Sequence, residues 1–185
     1  MLHKFLTAAA VLLTAISLYA QKPVTAAVTD IEDDPANGLE MCRSLFNEYF
    51  LSELTTHAKV NMLDTASVQK ALSGLKISRG QALTEKQIQE LCAKLKSDAL
   101  CLVKMSRGKN SSIDISVKIV DKSGKEIGQT TASMKGIGDT DSASDAIAGI
   151  CTKYLWKIRG IDEAESQKVE AQSKEKPLPS TVTEI

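Results

Sequence analysis

Ile113, Ile115, Val117 and Ile119 alternate with Asp114, Ser116 and Lys118. Successive side chains of a strand point to opposite faces, so this run predicts a strand with one buried and one wet face, as in an antiparallel sheet. Asp121-Lys122-Ser123-Gly124 follows and predicts a hairpin turn, with glycine supplying the positive φ. Glu126–Lys135 returns as a strand of weaker apolar content, which suits a sheet edge. Ala99–Met105, upstream, is nearly all apolar and reads as a central strand. Three successive strands of this kind form a sheet whose buried face needs a second layer.

The rest of the chain supplies that layer. Val24–Ile31 reads as a strand buried on both faces or nearly so, and Asp33-Asp34-Pro35-Ala36-Asn37-Gly38 as a turn-rich loop. Leu39, Cys42, Leu45, Phe46, Tyr49, Phe50 and Leu54 recur at three- and four-residue spacing and predict an amphipathic helix. Lys59–Leu63 reads as a short second strand. Strand, helix, strand implies a right-handed crossover and a parallel pair. Asp64 or Thr65 can cap a helix running through Leu72, and Ser73–Gly80 is a loop. Thr84-Glu85-Lys86-Gln87 is a capping box opening a helix with Ile88, Leu91, Cys92 and Leu95 on its apolar face. Arg107–Ser111 turns the chain. Ser142 and Asp145 are the expected caps of a last helix, buried through Ala146, Ile147, Ile150, Cys151, Tyr154, Leu155 and Ile158, with Gly149 permitting close packing. The predicted fold is α/β (α+β): a single mixed sheet of about five strands with helices packed on it, in the order β-α-β-α-α-β-β-β-α.

Met1–Lys4 is a short basic start, and Phe5–Ala20 is an apolar run that includes Thr7, Thr14 and Ser17. A spanning helix needs roughly twenty apolar residues, so the run reads as an export signal cut between Ala20 and Gln21. An uncleaved amino-terminal anchor is the alternative. Cutting after Ala26 would remove half of the first strand. The expected organisation is a signal over 1–20, one domain over 21–160 and a polar, disordered tail over 161–185, ended as a helix by Pro177 and Pro179. The formal charge of the full chain is zero, and loss of Lys4 leaves 22 basic against 23 acidic residues, a net of −1. Lysines and acids alternate along the helices, without the clustered basic face of a nucleic-acid binder.

Four stretches carry a resemblance. VTAAVTDIEDD resembles the opening strand and acidic loop, KVNMLDTASVQKAL the second strand and following helix, LKSDALCLVKMS the next strand, and SIDISVKIVDKSGKEIGQTTASMKG the hairpin of one family of small α/β domains. That family comprises CsgG-type curli export components, LpoB-type penicillin-binding-protein activators, FlgO-type proteins and the amino-terminal domain of TolB. The resemblance covers roughly Val24 to Ile158. It implies a periplasmic domain serving envelope assembly, outer-membrane associated in the best-known members. The sequence departs from the family pattern in having no lipid-attachment cysteine, no long linker before the domain and no alternating segments for a barrel. Thr65 stands where a basic residue often follows the second-strand aspartate. The domain is implied, whereas a curli-type pore or a wall-spanning activator is not.

The side chains able to do chemistry are few. His57 is the one histidine beyond the signal and is read as a cap or surface residue. A Cys42–His57 dyad would span more than ~20 Å of straight helix. Asp30, Glu32, Asp33 and Asp34 could suit a hard cation, but the calcium-loop spacing is missing and a solvated loop is the favoured reading. Gly136-Ile137-Gly138 reads as a connector. No catalytic residue, metal site or cofactor is expected. Cys42, Cys92, Cys101 and Cys151 fall on apolar positions and read as small hydrophobes. If any disulfide exists, Cys42–Cys151 and Cys92–Cys101 are the pairs to test. Tyr154 is expected to face the core. Trp156 points elsewhere by helical spacing, as a tail contact or an exposed anchor, so Trp156 and Tyr154 are the candidate interface aromatics.

The expected function is an exported, non-enzymatic interaction module of the bacterial cell envelope, binding a protein partner at the sheet edge formed by Glu126–Lys135. An oligomerising structural subunit of an envelope or flagellar assembly is the alternative, and a small periplasmic hydrolase a third reading. No nucleic acid is expected as a partner, and the membrane only through a partner or an uncleaved signal.

Overall fold

β1 (Thr25–Thr29) and β3 (Ala99–Arg107) are the double-sided strands of the sheet, and they fix its layers. In the computed structural model, which describes residues 23–160 except 35 and 59, and 57 and 58 by backbone alone, Ala26 and Val28 face one core and Ala27 the other. β3 does the same with Cys101, Val103 and Met105 on one side and Leu100 and Leu102 on the other. The signal with its Ala20–Gln21 cut, the 161–185 tail and the His57 side chain lie outside the described residues.

The sheet has five strands in the order β2-β1-β3-β4-β5, with β2 at Asn61–Met62, β4 at Ile113–Asp121 and β5 at Glu126–Met134. β1 pairs in parallel with both β2 and β3, whereas β3–β4 and β4–β5 are antiparallel. This is the mixed α/β sheet predicted from the sequence, with four helices packed on it: α1 (Glu40–Ala58), α2 (Thr65–Gly74), α3 (Glu85–Leu95) and α4 (Thr140–Ile158). α1 and α4 cover one face, and their buried side chains meet Ile113, Ile115, Val117 and Ile119 of β4. Phe46 and Phe50 of α1 stack at 5.4 Å within that core. Full burial of such a side chain contributes roughly 1.5–3 kcal/mol. α2 and α3 cover the other face over β1 and β3 through Val68, Leu72, Ile88 and Leu91.

The local signals hold where they are specific. Asp64 caps α2 by accepting the Ser67 N–H at 2.8 Å, and the Thr84/Gln87 capping box opens α3. In the hairpin, Gly124 has φ +90° and donates its N–H to the Asp121 carbonyl at 2.9 Å. Any Cβ there would also meet the Glu85 side chain at 2.4 Å.

Four details of the last helix and of β2 differ from expectation. β2 is two residues long, because the chain turns into the α2 cap at Asp64. α4 begins at Thr140, before the expected caps Ser142 and Asp145. Its N-cap Asp139 instead accepts the Lys135 N–H at 2.8 Å and holds the connector in place. The buried face of α4 is also rotated. Ser144, Ala148, Thr152 and Trp156 are buried, while Ile150 is 42% exposed and Ala146 exposed. The cause is two-sided packing: α4 lies on the sheet and beside α1, where the Ser144 hydroxyl donates to the Phe46 carbonyl at 3.4 Å. Gly149 permits no close approach, since a Cβ there would meet nothing within 4 Å. Gly149→Ala is therefore expected to stabilise the protein by about 0.5–1 kcal/mol, seen as a higher urea midpoint with an unchanged slope.

Candidate functional site

β3 runs past the end of β1, whose last pair is Thr29 with Leu102. Beyond it, Met105 would lack a neighbour on that side. Two side chains of the β1–α1 loop replace the missing strand. The Met105 N–H donates to Asp33 Oδ1 at 3.2 Å, and Asn37 Nδ2 donates to the Met105 carbonyl at 3.1 Å. Asp33 is fully buried. Its other oxygen pairs with Arg43 Nε, and Arg43 is only 3% exposed. Arg43 also donates through Nη2 to Asn37 Oδ1 at 3.0 Å and lies 3.6 Å from Asp30, which in turn pairs with Arg79.

This overturns the reading of the acidic loop as a solvated strand end. Two buried charges in one site survive only when paired and hydrogen-bonded, and here the loop is built around such a pair. The signal was present in the sequence: Arg43 is four residues after Leu39 and three before Phe46, on a helix stripe that is otherwise apolar. The remaining acids are spent locally. Glu32 accepts the Leu83 N–H at 2.8 Å, and Asp34 the Ala36 N–H at 2.8 Å. Among the described residues, no group of three or more His, Cys, Asp or Glu side chains is placed to hold a metal ion.

Beside this network a cleft of about 520 Å³ opens between α1 and α2. The chain leaves β1 toward the face covered by α1 and leaves β2 toward the face covered by α2. Open α/β sheets bind ligands at such divergence points, outside the carboxyl ends of the strands. Arg43, Asn47 and Leu51 form the inner wall, Glu40 and Glu48 the rim, and Arg79 closes one end.

The opposite side of the sheet offers a second surface. β5 is an outer strand, as expected for Glu126–Lys135, and β2 is the other. On the face that α2 and α3 cover over β1 and β3, the half formed by β4, β5 and the end of β3 is polar. Lys104, Ser106, Asp114, Thr131 and Ser133 are exposed there around a shallow cavity of about 510 Å³.

The aromatic candidates have structural partners. Tyr154 lies over β5, so close that a Cβ on Gly128 would meet its ring at 2.4 Å. Its hydroxyl donates to the Gln129 carbonyl at 3.3 Å, and Lys157 Nζ stands 5.6 Å from the ring centroid. An aromatic ring laid over a strand glycine supplies the packing that glycine lacks. Trp156 is 2% exposed, which replaces the picture of an exposed anchor, whereas the alternative, a contact with the tail, falls outside the described residues. It continues the row Ser144, Ala148 and Thr152, one turn at a time.

All four cysteines are free thiols. Cys92 and Cys101 lie in the cores on opposite faces of the sheet, so that pair cannot be bridged. Cys42 and Cys151 share one core without being joined. Burial pushes the Cys101 thiol well above the ordinary range, with Cys151 nearby adding to it, and pushes Cys151 to about 12. Thiols held protonated react slowly. Ellman's reagent is expected to titrate the half-buried Cys42 first and all four only in denaturant. A titre below four in denaturant would reveal a disulfide instead.

Fold and site together define an α/β domain with one mixed sheet, a cleft at its chain-divergence point and an antiparallel outer strand that pairs on one side only among the described residues. No family model matches the chain, and no curated protein sequence matches it. Among solved structures it is similar to the LpoB C-terminal domain from Salmonella enterica, at 14% identity over 66% of this chain and 92% of that one, with a TM-score of 0.45. It is similar to lipoprotein GNA1162 from Neisseria meningitidis, at 16% identity over 70% and 98%, with a TM-score of 0.46. It is also similar to the hypothetical protein CT253 from Chlamydia trachomatis, at 12% identity over 72% and 98%, with a TM-score of 0.49. No helix among the described residues is long and apolar enough to cross a membrane.

Proposed function

We propose that this chain is an exported, non-enzymatic interaction protein of the bacterial cell envelope, and that it engages a protein partner by strand addition at β5. The observation that supports it is the nine-residue β5 at the outside of the sheet, next to a sheet face that no helix covers among the described residues. An outer strand has a row of backbone groups able to pair with another chain, and natural proteins usually cover such an edge. Among the described residues, Tyr154 engages the Gln129 carbonyl, from the α4 side. Export rests on the signal over 1–20, and an envelope role on the family resemblance of the strand and hairpin stretches.

A photo-crosslinking residue at Thr131, compared with one at exposed Glu90 on α3, tests this in intact cells. A discrete crosslinked product is expected from Thr131 and not from Glu90, and it should weaken when Gln129 and Ser133 become lysines. Equal products from both positions, or none from Thr131, would remove the edge as the docking surface. A product made of two copies of the chain would favour the oligomerising subunit instead.

A further inference from the structure

α4 carries a row of exposed residues at four-residue spacing: Asp141, Asp145, Gly149, Lys153 and Lys157. Residues four apart are neighbours on a helix surface and form one of its ridges. Read backwards, the row is its own complement in charge: acids before the glycine, bases after it. The centre of the row is open. A Cβ on Gly149 would meet nothing within 4 Å, so no described part of the chain fills the gap that this glycine leaves. Ala146 and Ile150 beside it are exposed as well, Ile150 by 42%.

Within one chain the pattern has no benefit in its middle. Asp141 with Asp145, and Lys153 with Lys157, are like charges at i,i+4, which destabilise a helix. None of these side chains takes part in an ion pair among the described residues, and Lys157 remains exposed over the Tyr154 ring. The helix dipole favours acids in the first turn and bases in the last, but Asp145 and Lys153 lie inside those turns.

We infer that α4 is an interface between two copies of this chain, which cross antiparallel about a two-fold axis at Gly149. Asp145 and Lys153 stand about 6 Å to either side of Gly149 along the helix, and Asp141 and Lys157 about 12 Å. Laid antiparallel, Asp145 therefore meets Lys153 of the second copy, and Asp141 meets its Lys157. The same patch serves both copies, as a two-fold contact requires. The paired glycines let the helix backbones approach, and Ala146 and Ile150 are covered. A parallel crossing would set acid on acid and base on base, which excludes it. The surface lies on the α1–α4 side of the sheet, so this contact leaves Thr131 exposed and does not depend on docking at β5.

Sedimentation velocity of the full chain over a concentration series tests this. The parent is expected to dimerise at high micromolar concentration, above that of an unfolding measurement. Asp141→Lys with Asp145→Lys makes the row wholly basic, and Lys153→Glu with Lys157→Glu makes it wholly acidic. Each variant alone should dimerise at least roughly ten-fold more weakly, and an equimolar mixture of the two should regain the dimer. Should a reversal unfold the chain, the milder Asp145→Asn with Lys153→Gln reads the same contact and should weaken the dimer in the same direction. A parent that stays monomeric throughout would overturn the inference. So would a dimer that survives both reversals or the neutral pair, or a mixture that associates no better than its components. The crosslinking result at Thr131 bears on β5 alone, so either reading can fail without the other.

Discussion

Arg43→Ala is expected to lower the free energy of unfolding by about 3–5 kcal/mol, the usual cost of removing one partner of a buried ion pair. The cost arises on the other partner. Asp33 is fully buried, and without Arg43 its carboxylate keeps only the Met105 N–H and the Asn37 amide. Asn37 also loses the Arg43 contact that orients it, so the side-chain patch that extends β1 along β3 loosens as a unit. Arg79→Ala is the control. Arg79 pairs with Asp30 but is 36% exposed, and pairs with such access to water contribute about 0–1 kcal/mol. Urea denaturation of both variants checks this. Similar small losses for the two would mean that the Asp33–Arg43 pair is not a buried element of the loop.

Trp156→Ala is expected to cost about 3–5 kcal/mol, the range for a large aromatic side chain removed from a packed interior. An exposed partner anchor would instead lose binding with little change in stability, as surface substitutions usually do. The two outcomes separate in one thermal melt, because Trp156 is 2% exposed while Ile150, on the same helix, is 42% exposed. Ile150→Ala should fall within about 0.5 kcal/mol of the parent. If Trp156→Ala melts with the parent, the residue is not part of the interior.

The strands and their order were legible because their signals are local. Ile113–Ile119 alternates, Ala99–Met105 does not, and the Asp121–Gly124 turn carries its own glycine, so a half-wet strand, a central strand and a hairpin follow from short stretches of chain. The caps at Asp64 and Thr84 were legible for the same reason, since each concerns residues three positions apart. The start of α4 was not. Ser142 and Asp145 are good capping residue types, but Asp139 is tied to Lys135 at the end of β5 and sets the entry of the helix earlier.

The site was legible only in part. The edge position of β5 followed from weak apolar content. The buried pair did not, because an acidic loop reads as solvated unless one knows that Arg43 comes to meet it. Asp33 and Arg43 are ten residues apart, and the loop between them must fold back over Met105, 72 residues beyond Asp33, before either charge is enclosed.

What the sequence determined by itself is the set of elements, their order along the chain and the edge position of β5, because periodicity, turn chemistry and capping act within a few residues. What only the tertiary structure decided is the side each helix buries and where the charges go. α4 packs on two neighbours at once, which turns Ser144 and Ala148 inward and Ile150 outward. β3 outruns β1, which leaves backbone groups that Asp33 and Asn37 must satisfy. Both outcomes depend on the lengths and angles at which distant elements meet, and the free energy of burying a side chain or a charge is settled only there.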